Sequence, residues 1–417
     1  MEKLQKHFGL KQKKPFSMKR RFLLCLLFSF IVVGFVQGGV VAYANSNDNR
    51  DLEQQLSDSI DEQLNNLDLS ELEQFILSLT ANEQQLFGGR GFGETVRAVV
   101  SGEFADYYSN FFSAMVSMVF SGLLGFVPIV AVIVALAILM SMFSNVKSKF
   151  MGRATGELIH IAGFTLIAVI VLTAMFQLII MTRATVDNMR LQMNIAFPIL
   201  LTVLTAIGAT ASVSVYQPAV ALLSGGLMEL ILHIIMPLFI LSLTFTVIGN
   251  LSSTVKLDNF ASFLKSAKTY IIGFSFTIFM AFLSIQGITA ASHDGVSIRT
   301  ARFAVNRYIP IVGGYLSDGF SIIIAGSVLI KNAVGLTGLI LLLATVVSPI
   351  LQIILFSMAL KLAASVIEPI GQERVAKFLS SMAKNLTMLY VIIIAVAFMY
   401  FITVMLIIFT SNMAFTP

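Results

Sequence analysis

Sixty-five residues, from Leu191 to Val255, carry a single charged side chain, Glu229. No stretch constrains the fold more. A crossing of the hydrocarbon core takes about 20 apolar residues, so this length requires at least two crossings and permits three. Backbone N–H and C=O groups in lipid must be satisfied within the segment, which makes each crossing a helix. Tyr216-Gln-Pro218 is the expected turn, with Pro198 a helix start and Pro237 a kink. Met115–Phe143 is uncharged over its whole length, and 158–182, 269–292, 332–360 and 387–411 read the same way. The count is seven spans, with an eighth in 308–330 if that stretch crosses. The chain is 57% hydrophobic and 12% charged, against about 25% charged in a globular protein. The fold class is all-α, a polytopic membrane protein of seven to eight spans.

The front of the chain is different. Residues 1–21 are basic, Phe22 to Val41 is apolar, and Ala42-Tyr43-Ala44 is a small-x-small site before a polar run. This is signal-peptide grammar; an uncleaved anchor is the alternative. In either case the basic flank stays inside and Asn45 lies outside. The organisation expected is 1–44 signal peptide, 45–112 acidic extracytoplasmic helices, and 113–417 transmembrane domain. Residues 45–112 hold thirteen acids against three bases, net −10, while 113–417 is net +8. With the basic leader set aside, no face suits nucleic acid. The one cysteine, Cys25, lies in the leader, which leaves no disulfide or thiolate site beyond it.

Within 45–112, Leu52, Leu56, Ile60 and Leu64 mark one helical face. Ser70-Glu-Leu-Glu73 reads as a capping box, followed by a stripe of Leu72, Phe75, Ile76 and Leu79. Phe87-Gly-Gly-Arg-Gly-Phe-Gly93 reads as a hinge; it lacks the Lys-Ser/Thr of a phosphate loop. Two short amphipathic helices with an exposed stripe would dock on a partner or on the membrane body.

Positive-inside logic carries the first span inward to Lys147, Lys149 and Arg153. Beyond the second span the basic residues do not alternate. Lys256, Lys265 and Lys268 fall in one expected loop, Arg299, Arg302 and Arg307 in the next, and Lys361, Arg374, Lys377 and Lys384 in a third.

Ionisable groups inside an apolar body are the candidate site residues. Glu229 and His233 are four apart and share a helical face, as an ion-linked site or as a self-satisfied pair. Asp318 and Lys331 flank the run Phe320–Ile330, at a pore mouth or simply at the headgroups. Arg302 and Arg307, with Arg299, suit a snorkelling helix. Residues 308–330, broken by Pro310, Gly313, Gly314 and Gly319, are either a tilted span or a re-entrant hairpin. Glu157 and His160 lack the second E-x-x-H that a carboxylate metal site needs. No catalytic, cofactor or metal residues are expected. Ala206, Gly208, Ala209, Ala211 and Ser212, read as lying within one span, and Gly335 with Gly338 allow close helix contacts and self-association.

The segments RTARFAVNR and RYIPIVGGYLSDGFSIIIAGSVLIKNAVGLTG resemble the best-marked region of the stage III sporulation protein AE family. The resemblance implies a multi-pass component of the channel or secretion-like assembly joining mother cell to forespore in endospore formers. It implies a place in the mother-cell membrane around the forespore and support for engulfment and late forespore gene expression. The partners it implies are a secretion-type ATPase, ring-forming membrane proteins of the same operon, and a forespore membrane protein across the intermembrane space. The alternative from the residues alone is a solute or ion permease, which would be expected to show paired charges in both halves or a visible repeat.

Overall fold

Between Phe164 and Phe197 no glycine or proline interrupts the chain, and charge alone does not stop a helix. That fact merges two expected spans into one rod. The computed structural model describes the backbone of residues 50–102, 105–150, 153–251, 258–308 and 313–412. It describes the side chains of 54–102, 111–143, 161–250, 259–285 and 322–409. The apolar run Phe22–Val41, Cys25 and the Ala42-Tyr43-Ala44 site lie outside the described residues.

Every described element is helical. Four short helices come first: α1 (Arg50–Asn65), α2 (Ser70–Ser78), α3 (Ala81–Phe87) and α4 (Phe92–Ser101). Long rods follow: α5 (Ala105–Phe150) and α6 (Arg153–Ala206). A composite rod is built from α7 (Thr210–Ala221), a π segment (Leu222–Leu227), α8 (Met228–Leu230), a second π segment (Ile231–Ile235) and α9 (Met236–Leu251). Then come α10 (Asp258–Tyr308), α11 (Gly313–Ile367) and α12 (Glu373–Asn412). The described residues from Gln54 onward form one compact unit.

Among the described residues six of these helical stretches are long and apolar enough to cross a membrane. The chain turns at other places than the sequence suggests. Pro198 sits inside α6 rather than starting a helix. Pro218 sits inside α7, and Tyr216 is helical, so Tyr216-Gln-Pro218 is not a turn. The turn is at Gly208, whose φ of 88° is left-handed, a region open to glycine at no steric cost. The N–H groups of Gly208 and Ala209 close it on the carbonyls of Thr205 and Leu204. Ala206, Gly208, Ala209, Ala211 and Ser212 therefore flank this turn instead of lining one span. Pro237 follows directly on a π segment, an insertion that shifts the helical register ahead of it.

Apart from Lys256, which lies outside the described residues, the basic clusters expected in loops are helical. Lys265, Lys268, Arg299, Arg302 and Arg307 all lie along α10, Lys361 in α11, and Arg374, Lys377 and Lys384 in α12. From Gly313 onward, 308–330 has no re-entrant turn; it is the first third of a 55-residue helix. Two glycines of that helix, Gly326 and Gly335, stand in close contacts, while a methyl on Gly338 would meet nothing within 4 Å. A methyl on Gly326 would meet Ser59 and Gln63 at 3.5 and 3.3 Å, and one on Gly335 would sit 2.7 Å from Ile408.

Helix α11 is the axis of the fold, packed by α12, α5, α6, α10 and the two small helices α3 and α4. Two-thirds of its most apolar window is buried, against 17% for α5. At 1.5 Å per residue, α6 and α11 are each about 80 Å long, well over twice a hydrocarbon core of about 30 Å. On α6 the exposed apolar residues Ile161, Leu166, Val169, Phe176 and Ile180 span about 29 Å, and exposed Arg183 and Asp187 follow. That stretch matches the length of one bilayer crossing, and a further exposed apolar residue, Leu191, follows on α6.

Candidate functional site

Glu229 lies in three residues of α-helix held between two π segments. Such insertions recur at functional sites because they re-aim side chains out of ordinary helical register. Here the result is an ion junction between two rods. Oε1 of Glu229 meets the Arg190 guanidinium of α6 at 2.5 Å, and Oε2 meets His233 Nδ1 at 2.6 Å. The side chains are 34%, 42% and 64% exposed for Arg190, Glu229 and His233, so water reaches the junction and a pair of this kind contributes about 0–1 kcal/mol. The Glu229–His233 pairing read from four-residue spacing is present. Arg190 was not foreseen, because it stands 39 positions earlier and sequence spacing carries no trace of it. Arg190 lies seven residues beyond Arg183, about 10 Å further along α6.

A cleft of about 470 Å³ opens between α6 and the α7–π segment. Its walls carry the apolar side chains of Phe197, Leu201 and Val220 and the polar ones of Asn194, Gln217 and Ser224. Asn194 is one turn on from Arg190 along the same face of α6. Ser224 is about one π turn before Glu229, but Arg190, Glu229 and His233 do not line the cleft.

Lys331 is not at an open mouth. Its side chain is buried, and the ammonium donates to the Ile408 carbonyl at 2.7 Å. Ile408 is in the last turns of α12, where a cation suits the carbonyl end of a helix. Lys268, also buried, sits over the Phe239 ring at 4.7 Å, a cation–π contact that no loop assignment anticipates. The helical backbone carries Arg302, Arg307 and Asp318, but their side chains, like those of Glu157, His160 and Arg299, lie outside the described residues. Among the described residues no group of three or more His, Cys, Asp or Glu could hold a metal.

The acidic leader also has a defined seat. Ile60, Leu64, Leu72, Phe75, Ile76, Leu86, Phe87, Phe92 and Val96 are buried and Leu56 is half-buried, so this part of the apolar stripe is spent inside the molecule; the side chain of Leu52 lies outside the described residues. Ser327 of α11 donates its hydroxyl to Gln63 Oε1, and Gln63 Nε2 donates to the Ile323 carbonyl at 3.3 Å. The Ser70 capping box does not form: Asp68 Oδ1 accepts from the Ser70 N–H at 3.1 Å and from its hydroxyl. Those two bonds lower the Asp68 pKa below its usual value. Glu73 instead takes the Gly93 N–H at 2.8 Å. The capping box is at Thr80 and Glu83. The glycine run is not a loose hinge: Gly88, with φ 95°, closes α3, and Gly91 opens α4.

Six long apolar helical stretches among the described residues, α11 the most buried of them, define a multi-pass helical membrane protein. The profile of the family described as stage III sporulation protein AE matches residues 91–411, and the chain belongs to that family. A curated relative, "Stage III sporulation protein AE" of Bacillus subtilis (strain 168), is 23% identical over 314 residues, covering 75% of this chain and 79% of its own. No solved structure matches the chain. Family membership implies a role in sporulation.

Proposed function

We propose that the chain is the multi-pass membrane component of an assembly between mother cell and forespore, needed for engulfment and late forespore gene expression. Membership in the sporulation family over 91–411 carries the reading. In this reading residues 1–44 are an export signal, and 45–112 face the intermembrane space from the mother-cell membrane. The operon ATPase, the ring-forming proteins and the forespore partner would then meet a surface already shaped by the leader seated on α11. The apolar stripe is buried, so the part left for partners is the polar face, with Asp58, Asp61, Glu62 and Glu71 exposed. Reversing these four to Lys should abolish co-purification with the operon's ring proteins and stop spore formation while the chain still accumulates in the membrane. Full sporulation with the reversed face would rule out this surface as the docking site.

A further inference from the structure

Five lysines that the sequence scatters over two expected loops come to one level of the body. Ser357 of α11 donates to the Ala383 carbonyl of α12, and Gly335 stands beside Ile408. The two helices therefore run antiparallel, and Lys361 lies level with Leu379. Tyr216 bonds to the Leu406 carbonyl, and Ile231 and Ile235 face Ile392 and Ala395 across a small cavity, so the composite rod also runs against α12. Lys268 sits over Phe239, and Ser242 donates to the Ala261 carbonyl. Helix α10 thus runs against the rod and along α12. The Phe276 and Phe398 rings, 5.7 Å apart, set that register; eleven residues back, Lys265 lies level with Thr387. Lys265, Lys361, Lys377 and Lys384 share about 15 Å of axial length. All four are exposed, and buried Lys268 is one turn further along α10. Among the described residues none of the five makes an ion pair. The described side chains of α9, α10 and α11 include no carboxylate, and those of α12 only Glu373 at its start. Counting the margins, residues 258–285 and 358–384 hold six bases against three acids, Asp258, Glu368 and Glu373.

These lysines stand beside lipid-facing surface. Helix α5 packs on α11 with Gly122 opposite Leu355 and with the Ser141 hydroxyl on the Ile370 carbonyl. Lys361 is therefore level with the uncharged stretch of α5 that exposes Val127 and Val132. On α11 itself Met358, Leu362 and Val366 form an exposed row at four-residue spacing beside Lys361, and on α10 Phe263 and Tyr270 are exposed beside Lys265. Ser327, where the leader sits, is about 50 Å away along α11. We propose that Lys265, Lys361, Lys377 and Lys384 bind the phosphates of anionic phospholipids, in the leaflet at the end of the body away from the leader. Ammonium groups at this depth without carboxylates of their own need a counter-charge from outside the chain. Lysine stems lie along apolar surface and carry the charge to the headgroup level. An anionic phospholipid answers both halves of the surface: its phosphate meets the ammonium groups, and its acyl chains cover the Leu362 row and Phe263. An acidic protein segment would meet the charge and leave the apolar row bare. Basic pockets between membrane helices take anionic headgroups in this way.

The chain has no tryptophan, so Leu362→Trp places a single fluorescent reporter beside the lysines. Leu124→Trp, in the uncharged exposed run of α5, is the reference. The full chain with either reporter is placed in nanodiscs of phosphatidylcholine and phosphatidylglycerol at one fixed ratio, with one lipid or the other brominated as a quencher. Per mole, brominated phosphatidylglycerol should quench Leu362→Trp at least about threefold more than brominated phosphatidylcholine, and Leu124→Trp equally. Adding Lys361→Gln, Lys377→Gln and Lys384→Gln together should bring the Leu362→Trp ratio down to the reference, with an unchanged melting temperature showing that the variant folds. The same three positions changed to Arg keep the charge and should keep the enrichment. Equal quenching by the two lipids at Leu362→Trp, equal enrichment at both reporters, or enrichment that survives the glutamine variant would each overturn the proposal. Displacement of the phosphatidylglycerol by polyglutamate at equal charge would overturn the lipid assignment in favour of an acidic partner segment. A sporulation defect is not the readout, so failure here leaves the proposed function standing.

Discussion

The leader helices α1–α4 and the membrane body are both all-helical, yet they are held together by opposite means. In the leader, Phe75, Phe87 and Phe92 are buried while Asp58, Asp61 and Glu62 are exposed; burial of apolar surface from water drives such a fold. In the body, Phe120, Leu124, Phe176 and Phe274 are exposed while Lys268, Lys331 and Gln192 are buried. Lipid is as apolar as these side chains, so close packing and interhelical bonds must hold the rods. Gln192 donating to the Gly338 carbonyl at 2.8 Å and Ser357 donating to the Ala383 carbonyl at 3.0 Å are bonds of that kind. Helix ends follow the same divide. The leader's ends carry a Thr80–Glu83 box and two left-handed glycine caps, whereas among the described residues of the body left-handed glycines stand at Gly208 and Gly371.

The sharpest way to break this contrast is to remove one large side chain from the leader. Phe92→Ala should cost about 3–5 kcal/mol and expose residues 54–101 to protease while α5–α12 stay resistant. Simultaneous loss of both regions would mean that they are not energetically distinct. The converse change is Gly335→Leu, which places a side chain against Ile408 and Val404. It should cost about 1–3 kcal/mol, read as a lower unfolding temperature in detergent, with leader protection intact. At the helix ends, Thr80→Ala should destabilise the leader by about 1 kcal/mol. Thr202→Ala on α6 should have almost no effect, since its hydroxyl only returns to the Pro198 carbonyl. The smallest effect is electrostatic. Asp68 is depressed by its two bonds to Ser70, so that contribution is complete at neutral pH. It is lost as pH falls through and below the ordinary carboxylate value of 3.8. Ser70→Ala should move the Asp68 titration upward by NMR.

The sequence carried the class of fold because apolar length is a local signal. Uncharged runs such as Met115–Phe143 announce membrane helices whatever surrounds them. It did not carry the turns, because Tyr216-Gln-Pro218 and Pro198 look like breakers locally, and α6 with α7 supplies enough helical context to run through both prolines. Charges misled in the same way: Arg183, Asp187 and Arg190 stand between two apolar runs like a loop but ride on one continuous helix. Glu229 with His233 was legible from spacing. Its third member, Arg190, was not, because an antiparallel pairing of rods is a tertiary fact. The leader's stripe was legible as an apolar face, but its seat at Ser327 and Gly326 had no signal beyond the small residues themselves.

The account rests on the leader folding back onto the first third of α11. A Cβ placed at Gly326 stands 3.5 Å from Ser59 Oγ, within reach of a disulfide, and the native cysteine, Cys25, lies far off in the chain. Oxidation of Ser59→Cys/Gly326→Cys in native membranes should give an intramolecular cross-link, recognised by faster migration on a non-reducing gel and reversed by reductant. Two free thiols, both labelled by a membrane-impermeant maleimide after oxidation, would show that the leader does not sit there.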